Sequence, residues 1–235
     1  MGNKAIIWDY DGTLVDTRAK NFNVTKRILS DLLGVNSSDY PVLQSLEQYI
    51  RATRKAKNWR ELYRNEFAMN EDEINRAGSL WTEYQLSDDL ESTLFEGIDG
   101  VIRSLSGYPN LIFSQNSRSN IAQVLEGKDL MQCFVDIIGY EEVSSSKQKP
   151  APDGLLLCIS RIDALCEHLF FIGDHETDTL CGHNANVELR KRKSKTKIIN
   201  VAAFYGSEND TSIWKVKPDL IVSHPHEISD CIERY

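Results

Sequence analysis

The chain has 235 residues, of which 41% are apolar and 26% are charged, an ordinary globular composition that argues against disorder. Its 27 lysine and arginine residues against 35 aspartate and glutamate residues give a formal charge of −8. This acidity argues against a protein whose main task is to grip a nucleic-acid backbone. It does not exclude a small phosphorylated ligand, which needs only local positive charge.

The cysteine pattern and the apolar runs indicate the compartment. Five cysteines, an odd number without a CxxC pair, favour a reduced protein of the cytoplasm. The apolar run from Leu155 to Ile159 is far shorter than the roughly 20 residues of a membrane helix. Asp9 and Asp11 stand where a signal peptide would need apolar residues. We therefore expect a cytoplasmic protein with no membrane partner.

The first predicted element is a strand over residues 5–8, and a long helical stretch follows it. Residues 17 to 94 show no strand pattern, but they show helical patterns at 19–33, 41–56, 58–68 and 71–86. Asn70 and Glu73 have the spacing of a capping box at the start of the last of these helices. Because the stretch is too long to be a loop, we predict an all-helical cap domain, residues 16–95, inserted into a core formed by residues 1–15 and 96–235.

Beyond the insertion, predicted strands and helices alternate. Short apolar runs rich in β-branched and aromatic residues predict buried strands at 111–113, 134–138, 169–172, 198–204 and 220–222. Helical patterns lie at 98–106, 117–127, 153–163, 176–188 and 226–234. This alternation predicts an α/β fold whose core is a Rossmann-like parallel sheet with helices on both faces.

One charge run stands out just before the predicted strand at 198–204: Arg190, Lys191, Arg192, Lys193, Lys195 and Lys197. A nucleic-acid or localisation patch is one interpretation. We favour a solvent-exposed loop, because the chain as a whole is acidic.

Polar residues that follow the predicted strands are the candidates for function. In an α/β sheet, ligands bind beyond the carboxyl ends of the strands. The residues at this edge include Asp9, Asp11, Ser114, Lys149, Asp174 and Asp178. The sequence therefore predicts that carboxylates, a hydroxyl and a lysine converge on one side of the sheet.

The pair Asp9 and Asp11 indicates a chemistry. Side chains two apart in an extended backbone point to the same side, and Gly12 allows a sharp turn after them. Two carboxylates this close repel each other unless a cation compensates, and Asp174 would complete a set of oxygen ligands for Mg²⁺. With Mg²⁺ and Lys149 to neutralise a phosphate, one carboxylate can attack and the other can carry the proton, as phosphoryl transfer requires.

These residues carry a family resemblance. Residues 9–17, Asp-Tyr-Asp-Gly-Thr-Leu-Val-Asp-Thr, resemble the DxDGTLxDS/T signature of the haloacid dehalogenase superfamily. Ser114 resembles its second motif, residues 149–153 its third, and residues 173–178, Gly-Asp-His-Glu-Thr-Asp, its fourth. The motifs occur in the family's order, and the helical insertion resembles the subclass with a helical cap, the phosphoglycolate-phosphatase-like hydrolases.

The resemblance implies roles for these residues. Asp9 resembles the nucleophile that becomes an aspartyl-phosphate, and Asp11 resembles the general acid and base. The implied metal ligands are Asp9, the main-chain carbonyl of Asp11, and Asp174. Asp178 completes the implied metal site, where it either supports Lys149 or lies in the surroundings of the metal. The implied phosphate-binding residues are Ser114, Lys149 and either Gln115 or Asn116.

The sequence departs from the family pattern after the fourth motif. Asn186 stands where the family usually has glycine. Because asparagine tolerates left-handed backbone better than most residues, we expect a turn there to survive.

The function implied by the resemblance is Mg²⁺-dependent hydrolysis of a small phosphate monoester, such as a phosphoglycolate-like acid, a nucleotide or a sugar phosphate. One alternative is a phosphomutase on the same scaffold, and another is a binding protein that has lost turnover. Dehalogenation is disfavoured, because it needs neither Asp11 nor Mg²⁺. The expected partner is a small phosphorylated metabolite, with no nucleic acid, and the sequence leaves the oligomeric state open.

Overall fold

The computed structural model describes residues 4–36, 39–162, 166–205 and 210–235. The chain divides into two compact units: a larger one, Met1–Asp16 with Thr93–Tyr235, and a smaller one, Thr17–Ser92. The sequence places the domain boundaries after residues 15 and 95, and the role of the smaller unit as a cap stays a prediction. Residue 163, the end of a predicted helix, lies outside the described residues.

The strands of the described residues all belong to the larger unit. They are β1 (Lys4–Trp8), β2 (Val15–Asp16), β3 (Thr93–Leu94), β4 (Asn110–Phe113), β5 (Asp136–Ile138), β6 (His168–Gly173), β7 (Lys197–Ala203) and β8 (Leu220–Val222). Six of them form a parallel sheet in the order β5-β4-β1-β6-β7-β8. The predicted α/β fold is confirmed.

The α-helices of the described residues fall into two groups. Those of the smaller unit are α1 (Arg18–Leu33), α2 (Leu46–Lys55), α3 (Trp59–Glu66) and α4 (Glu71–Ser87). Those of the larger unit are α5 (Ile98–Ser104), α6 (Arg118–Gly127), α7 (Asp153–Ser160), α8 (Glu176–Lys191) and α9 (His226–Arg234). None of these helices is both long and apolar enough to cross a membrane.

Strand β1 is buried on both faces at the centre of the sheet. Ile6 and Trp8 belong to the apolar core shared with α5, α6 and α9, while Ile7 belongs to the core shared with α7 and α8. Full burial of one such side chain stabilises the fold by about 1.5–3 kcal/mol. Because the strand is fixed on both faces and both edges, the residues that follow it have a firmly defined position.

A second, two-stranded sheet corrects the sequence analysis. β3 pairs antiparallel with β2, with Val15 opposite Leu94 and Asp16 opposite Thr93. The prediction of no strand between residues 17 and 94 was therefore wrong at its end. Two residues are too few to show the alternation that marks a strand.

The smaller unit packs its helices around an apolar core that includes Ile28 and Ile74. The capping box of Asn70 and Glu73 at the start of α4 is confirmed. The single helix predicted over residues 41–56 was wrong, because it is two elements. A 3₁₀ turn covers Pro41–Leu43, and α2 starts afresh where the Ser45 side chain accepts a bond from the Gln48 amide at 3.2 Å.

The basic run is exposed, as predicted, but only part of it is a loop. α8 extends to Lys191, and β7 begins at Lys197. Asn186 makes no turn, because it lies inside α8. Its side chain donates to the main-chain carbonyl of Ile198 in β7 and accepts from the main-chain N–H of the same residue, each at 2.8 Å. The expectation of a left-handed turn was wrong, since the residue joins helix to sheet by its side chain.

Candidate active site

The turn after β1 places Asp9 and Asp11 beside the neighbouring strand ends. The amide of Asp9 donates to the Ile172 carbonyl at 2.8 Å, which continues the pairing with β6 past the end of β1. Tyr10 points away into the apolar core, as the two-residue spacing predicts. Gly12 has a φ of 85°, and a Cβ there would lie 2.3 Å from Oδ2 of Asp174. Glycine is therefore required for both the backbone and the close approach.

Asp9 is buried and paired with a buried lysine. Its Oδ1 lies 2.5 Å from Nζ of Lys149, and its Oδ2 accepts a bond from the Thr13 hydroxyl at 3.3 Å. Burial raises the pKa of Asp9 from its ordinary 3.8 to about 7, although the Lys149 ammonium opposes the shift. The carboxylate is thus poorly solvated and held in one direction.

Lys149 bridges two carboxylates. Its side chain is 3% exposed, and Nζ lies 2.5 Å from Asp9 and 2.8 Å from Oδ1 of Asp178. The rings of Phe113 and Phe171 flank the ammonium, with centroids at 4.8 and 5.2 Å. Burial alone would lower the pKa of Lys149, but the charges of Asp178 and Asp9 outweigh it and raise the pKa above its ordinary value. The ammonium is therefore a fixed positive charge.

The segment from the end of β6 to the first turn of α8 supplies two further carboxylates. Asp178 accepts a bond from the His175 amide at 3.1 Å through Oδ2 and forms the capping box of the helix. Burial, and then the negative charges of Asp9, Asp178 and Asp11, raise the pKa of Asp174 well above its ordinary value. The site therefore holds more negative charge than Lys149 compensates.

This charge imbalance fits a divalent cation. Asp9, Asp174 and Asp178 each offer a carboxylate oxygen, and these oxygens lie within 4.8 Å of one another. Carboxylate oxygens are the ligands that Mg²⁺ prefers. The residues present therefore suit the predicted metal.

Asp11 has different neighbours from Asp9. The Ser114 hydroxyl lies 3.4 Å from its Oδ2, and Nδ2 of Asn116 lies 3.2 Å from both of its oxygens. Gln115 turns elsewhere, since its Nε2 donates to the main-chain carbonyl of Lys149 at 3.4 Å. The structure thus brings the predicted residues to the ends of three adjacent strands, β1, β4 and β6.

Two contributing residues escaped the sequence analysis. The Tyr205 hydroxyl donates to the main-chain carbonyl of Thr13 at 2.5 Å and holds the turn after β1. Tyr205 follows β7, so the rule that ligands bind at strand ends could have indicated it. Asn120, which donates to Asn116 at 3.1 Å, lies in the first turn of α6, where no sequence pattern marks it.

A parallel sheet with carboxylates, a serine and a buried lysine at its carboxyl edge defines an α/β enzyme suited to phosphoryl transfer. Residues 6–190 match the family of haloacid dehalogenase-like hydrolases, and the chain belongs to this family. The resemblance drawn from the four motifs is confirmed, and with it the expectation of a hydrolase.

Curated relatives and solved structures agree with this assignment. The chain is 29% identical over 189 residues to the pyrophosphatase PpaX of Listeria monocytogenes serotype 4a, which covers 77% of this chain and 78% of the relative. It is 24% identical over 251 residues to the N-acetylmuramic acid 6-phosphate phosphatase of Pseudomonas aeruginosa, covering 100% and 96%. A crystal structure from Lactobacillus plantarum, provisionally described as a phosphoglycolate phosphatase, superposes with a TM-score of 0.76 at 18% identity, covers 98% and 99%, and shows the shared fold.

Proposed function

We propose that the protein is a Mg²⁺-dependent phosphatase that hydrolyses a small phosphate monoester through a covalent aspartyl-phosphate. The observation that carries this proposal is the different surroundings of the two carboxylates that follow β1. Asp9 is buried against the Lys149 ammonium, whereas Asp11 faces the neutral donors of Ser114 and Asn116. Two carboxylates in different environments suit the two roles of nucleophile and proton carrier.

The reaction has two balanced steps. In the first, the Asp9 carboxylate attacks phosphorus, the bond from phosphorus to the ester oxygen breaks, and Asp11 gives that oxygen its proton. In the second, Asp11 takes a proton from water, the water oxygen attacks phosphorus, and inorganic phosphate leaves as the Asp9 carboxylate is restored. Ser114 and Lys149 hold the phosphoryl oxygens, with Lys149 supplying the fixed positive charge.

The metal would be held by Asp9, Asp174 and the main-chain carbonyl of Asp11. When bound, Mg²⁺ supplies positive charge that neutralises the phosphate oxygens. We assign Asp178 to the orientation of Lys149, because one of its oxygens meets the Lys149 ammonium and the other the His175 amide.

The substrate class follows from the site and the relatives. The curated relatives are named for pyrophosphate and for N-acetylmuramic acid 6-phosphate, both small phosphorylated molecules. We propose a small phosphorylated metabolite for this chain as well.

One screen tests the proposal. The full chain is incubated with p-nitrophenyl phosphate, 2-phosphoglycolate, N-acetylmuramic acid 6-phosphate, nucleoside monophosphates and pyrophosphate, and released inorganic phosphate is measured with Mg²⁺ and with excess chelator. We expect release with Mg²⁺ and none with chelator, and none from Asp9→Asn. Full activity in chelator would contradict the metal dependence. Isomer formation without release would indicate a mutase, and a flat screen a binding protein.

A further inference from the structure

We propose that Asn116 and Asn120 are positioning residues for the carboxylate of Asp11, and that Asn120 acts through the amide of Asn116. This inference rests on the proposed function, because it concerns Asp11 as proton carrier. It also gives Asn116 a different role from the phosphate contact that the family resemblance implies.

A chain of hydrogen bonds joins the three side chains. Nδ2 of Asn116 lies 3.2 Å from each oxygen of Asp11, so one N–H is shared by the carboxylate. Nδ2 of Asn120 in turn donates to Oδ1 of Asn116 at 3.1 Å. Both asparagines are buried, at 4% and 6% exposure, so little water competes with these bonds.

The orientation of the Asn116 amide is fixed by its carbonyl. Oδ1 of Asn116 accepts from the Ser117 amide at 2.8 Å as well as from Asn120. A rotation of the amide by 180° would bring Oδ1 against the Asp11 carboxylate and would set Nδ2 against two donors. Only the observed orientation therefore presents an N–H to Asp11.

The hydrogen bond from Asn120 to Asn116 leaves the other end of the Asn120 side-chain amide without a partner among the described residues. Its own Oδ1 is buried and meets no hydrogen-bond donor among the described residues. The opposite orientation of the Asn120 amide would place its oxygen against Oδ1 of Asn116. A buried acceptor without a partner is unfavourable, whereas an apolar side chain at this position would carry no such penalty. The placement of Asn120 is explained by the donor that it gives to Asn116.

Rigid elements carry the whole chain of bonds. Asn120 lies in the first turn of α6, where its main-chain N–H donates to the Ser117 hydroxyl at 3.2 Å. Ser114 also holds Asn116 and Asp11, since its hydroxyl accepts from the main-chain N–H of Asn116 at 3.0 Å and contacts the Asp11 carboxylate. The Asp11 carboxylate is thus aimed by side chains that are themselves held by α6 and by the end of β4.

The orientation of the Asp11 carboxylate affects proton transfer to the leaving oxygen more than it affects the attack of Asp9 on phosphorus. A proton must reach the leaving oxygen when that oxygen would be a strong base, as with phenyl phosphate. The nitro group of p-nitrophenyl phosphate stabilises the departing phenolate, so this ester needs the proton much less. The two esters are close in shape, and kcat/KM reports every step up to formation of the phosphoenzyme.

The experiment compares kcat/KM for both esters in Asn116→Ala, Asn120→Ala and Asn120→Asp. For Asn116→Ala we expect a loss of about 10²-fold on phenyl phosphate and less than about tenfold on p-nitrophenyl phosphate, within the range of acid–base catalysis. Asn120→Ala should show the same asymmetry at about tenfold, and Asn120→Asp, which offers only oxygens to Asn116, should show it more strongly. The matched control is Asn186→Ala, whose two 2.8 Å bonds join α8 to β7, and any loss there should be equal for both esters.

The outcomes separate this inference from the proposed function. Equal losses on both esters, or no loss on either, would overturn the positioning role while wild-type turnover stands. A wild-type protein that releases no phosphate, or an Asp9→Asn variant that does, would overturn the proposed function first. Thermal unfolding identifies variants that do not fold, and the two substitutions at Asn120 carry the test if Asn116→Ala is one of them.

Discussion

Asp9 and Asp11 lie two residues apart, yet their side chains meet different partners. Asp9 faces the buried ammonium of Lys149 at 2.5 Å, and Asp11 faces the amide of Asn116 at 3.2 Å. The DxDGT spacing was enough to predict that both carboxylates point to one side, because that follows from the backbone alone. Which neighbours each one meets depends on the segment before α7, which carries Lys149, and on the segment between β4 and α6, which carries Asn116. Both are distant in sequence from β1, and no local pattern encodes the contacts.

Substitution at each aspartate should separate the two roles. Asp9→Asn removes the nucleophile, so we expect no phosphoenzyme and no turnover. Asp11→Asn keeps the nucleophile but loses the proton carrier, so kcat should fall by roughly 10²–10⁴. Rapid acid quench followed by mass spectrometry detects any phosphoenzyme in the two variants, and the rate of phosphate release gives kcat. Phosphate attached covalently to the Asp9→Asn protein at any other residue would contradict the assignment of Asp9.

Gly12 permits a second test at the scale of one residue. Gly12→Ala places a Cβ in a left-handed conformation and 2.3 Å from Oδ2 of Asp174, so it should displace that carboxylate. Gly97 has a similar φ of 83° with nothing within 4 Å of its added Cβ, which makes Gly97→Ala a matched control.

Backbone strain alone should cost Gly97→Ala roughly 1–2 kcal/mol of unfolding free energy and leave the activity intact. Gly12→Ala should lose at least as much stability and should also bind Mg²⁺ more weakly. Urea unfolding and titration of activity with Mg²⁺ measure the two effects. An unchanged Mg²⁺ dependence in Gly12→Ala would show that Asp174 does not serve the metal.

Individual elements differ in how far the sequence predicts them. The buried strands were predictable because continuous apolar runs have few other uses in a parallel sheet. The break before α2 was not, because Ser45 starts a new helix within a pattern that continues across it. The short strand β3 was missed for another reason: Thr93 and Leu94 pair with residues 15 and 16, nearly eighty positions away in the chain.

The capping box of α4 gives a prediction at the scale of the element. Asn70 accepts from the Glu73 amide at 3.0 Å, and the Glu73 side chain accepts from the Asn70 amide at 2.8 Å. Asn70→Ala should therefore destabilise the protein by about 1 kcal/mol. Ser79→Ala, an exposed change within the same helix, should have little effect. Equal urea midpoints for the two variants would show that the cap contributes nothing.

For the whole molecule, the sequence predicts the layout better than the electrostatics. Alternating strands and helices define the parallel sheet, and strand ends define the edge where the site lies. The formal charge of −8 says nothing about where that charge is concentrated. The burial of Asp9 and the partial burial of Asp174 near Lys149 emerge only from packing, and they determine how the folded protein responds to pH and to metal.

For the protein without metal, the raised pKa values of the site carboxyl groups predict how its stability depends on pH. Burial raises the pKa of Asp9 from 3.8 to about 7 and the pKa of Asp174 well above its ordinary value. A carboxyl group with a raised pKa in the folded state binds its proton more tightly there than in the unfolded chain. Its contribution to stability is therefore complete below about pH 4 and is lost as the pH rises, through about pH 7 for Asp9.

A bound cation compensates the same buried charge, and a ligand that binds only the folded state adds stability by mass action. We therefore expect saturating Mg²⁺ to raise the Tm clearly at pH 7.5 and hardly at all at pH 5. Asp174→Asn replaces a half-buried carboxyl group whose ionised form is disfavoured in the metal-free protein. We therefore expect it to raise the Tm of the metal-free protein at pH 7.5 and to abolish most of the gain from Mg²⁺. Thermal unfolding measures the Tm of the wild-type protein and of Asp174→Asn at pH 5 and at pH 7.5, in each case with Mg²⁺ and with chelator. A gain from Mg²⁺ that is equal at both pH values, or that persists in Asp174→Asn, would show that the cation binds elsewhere.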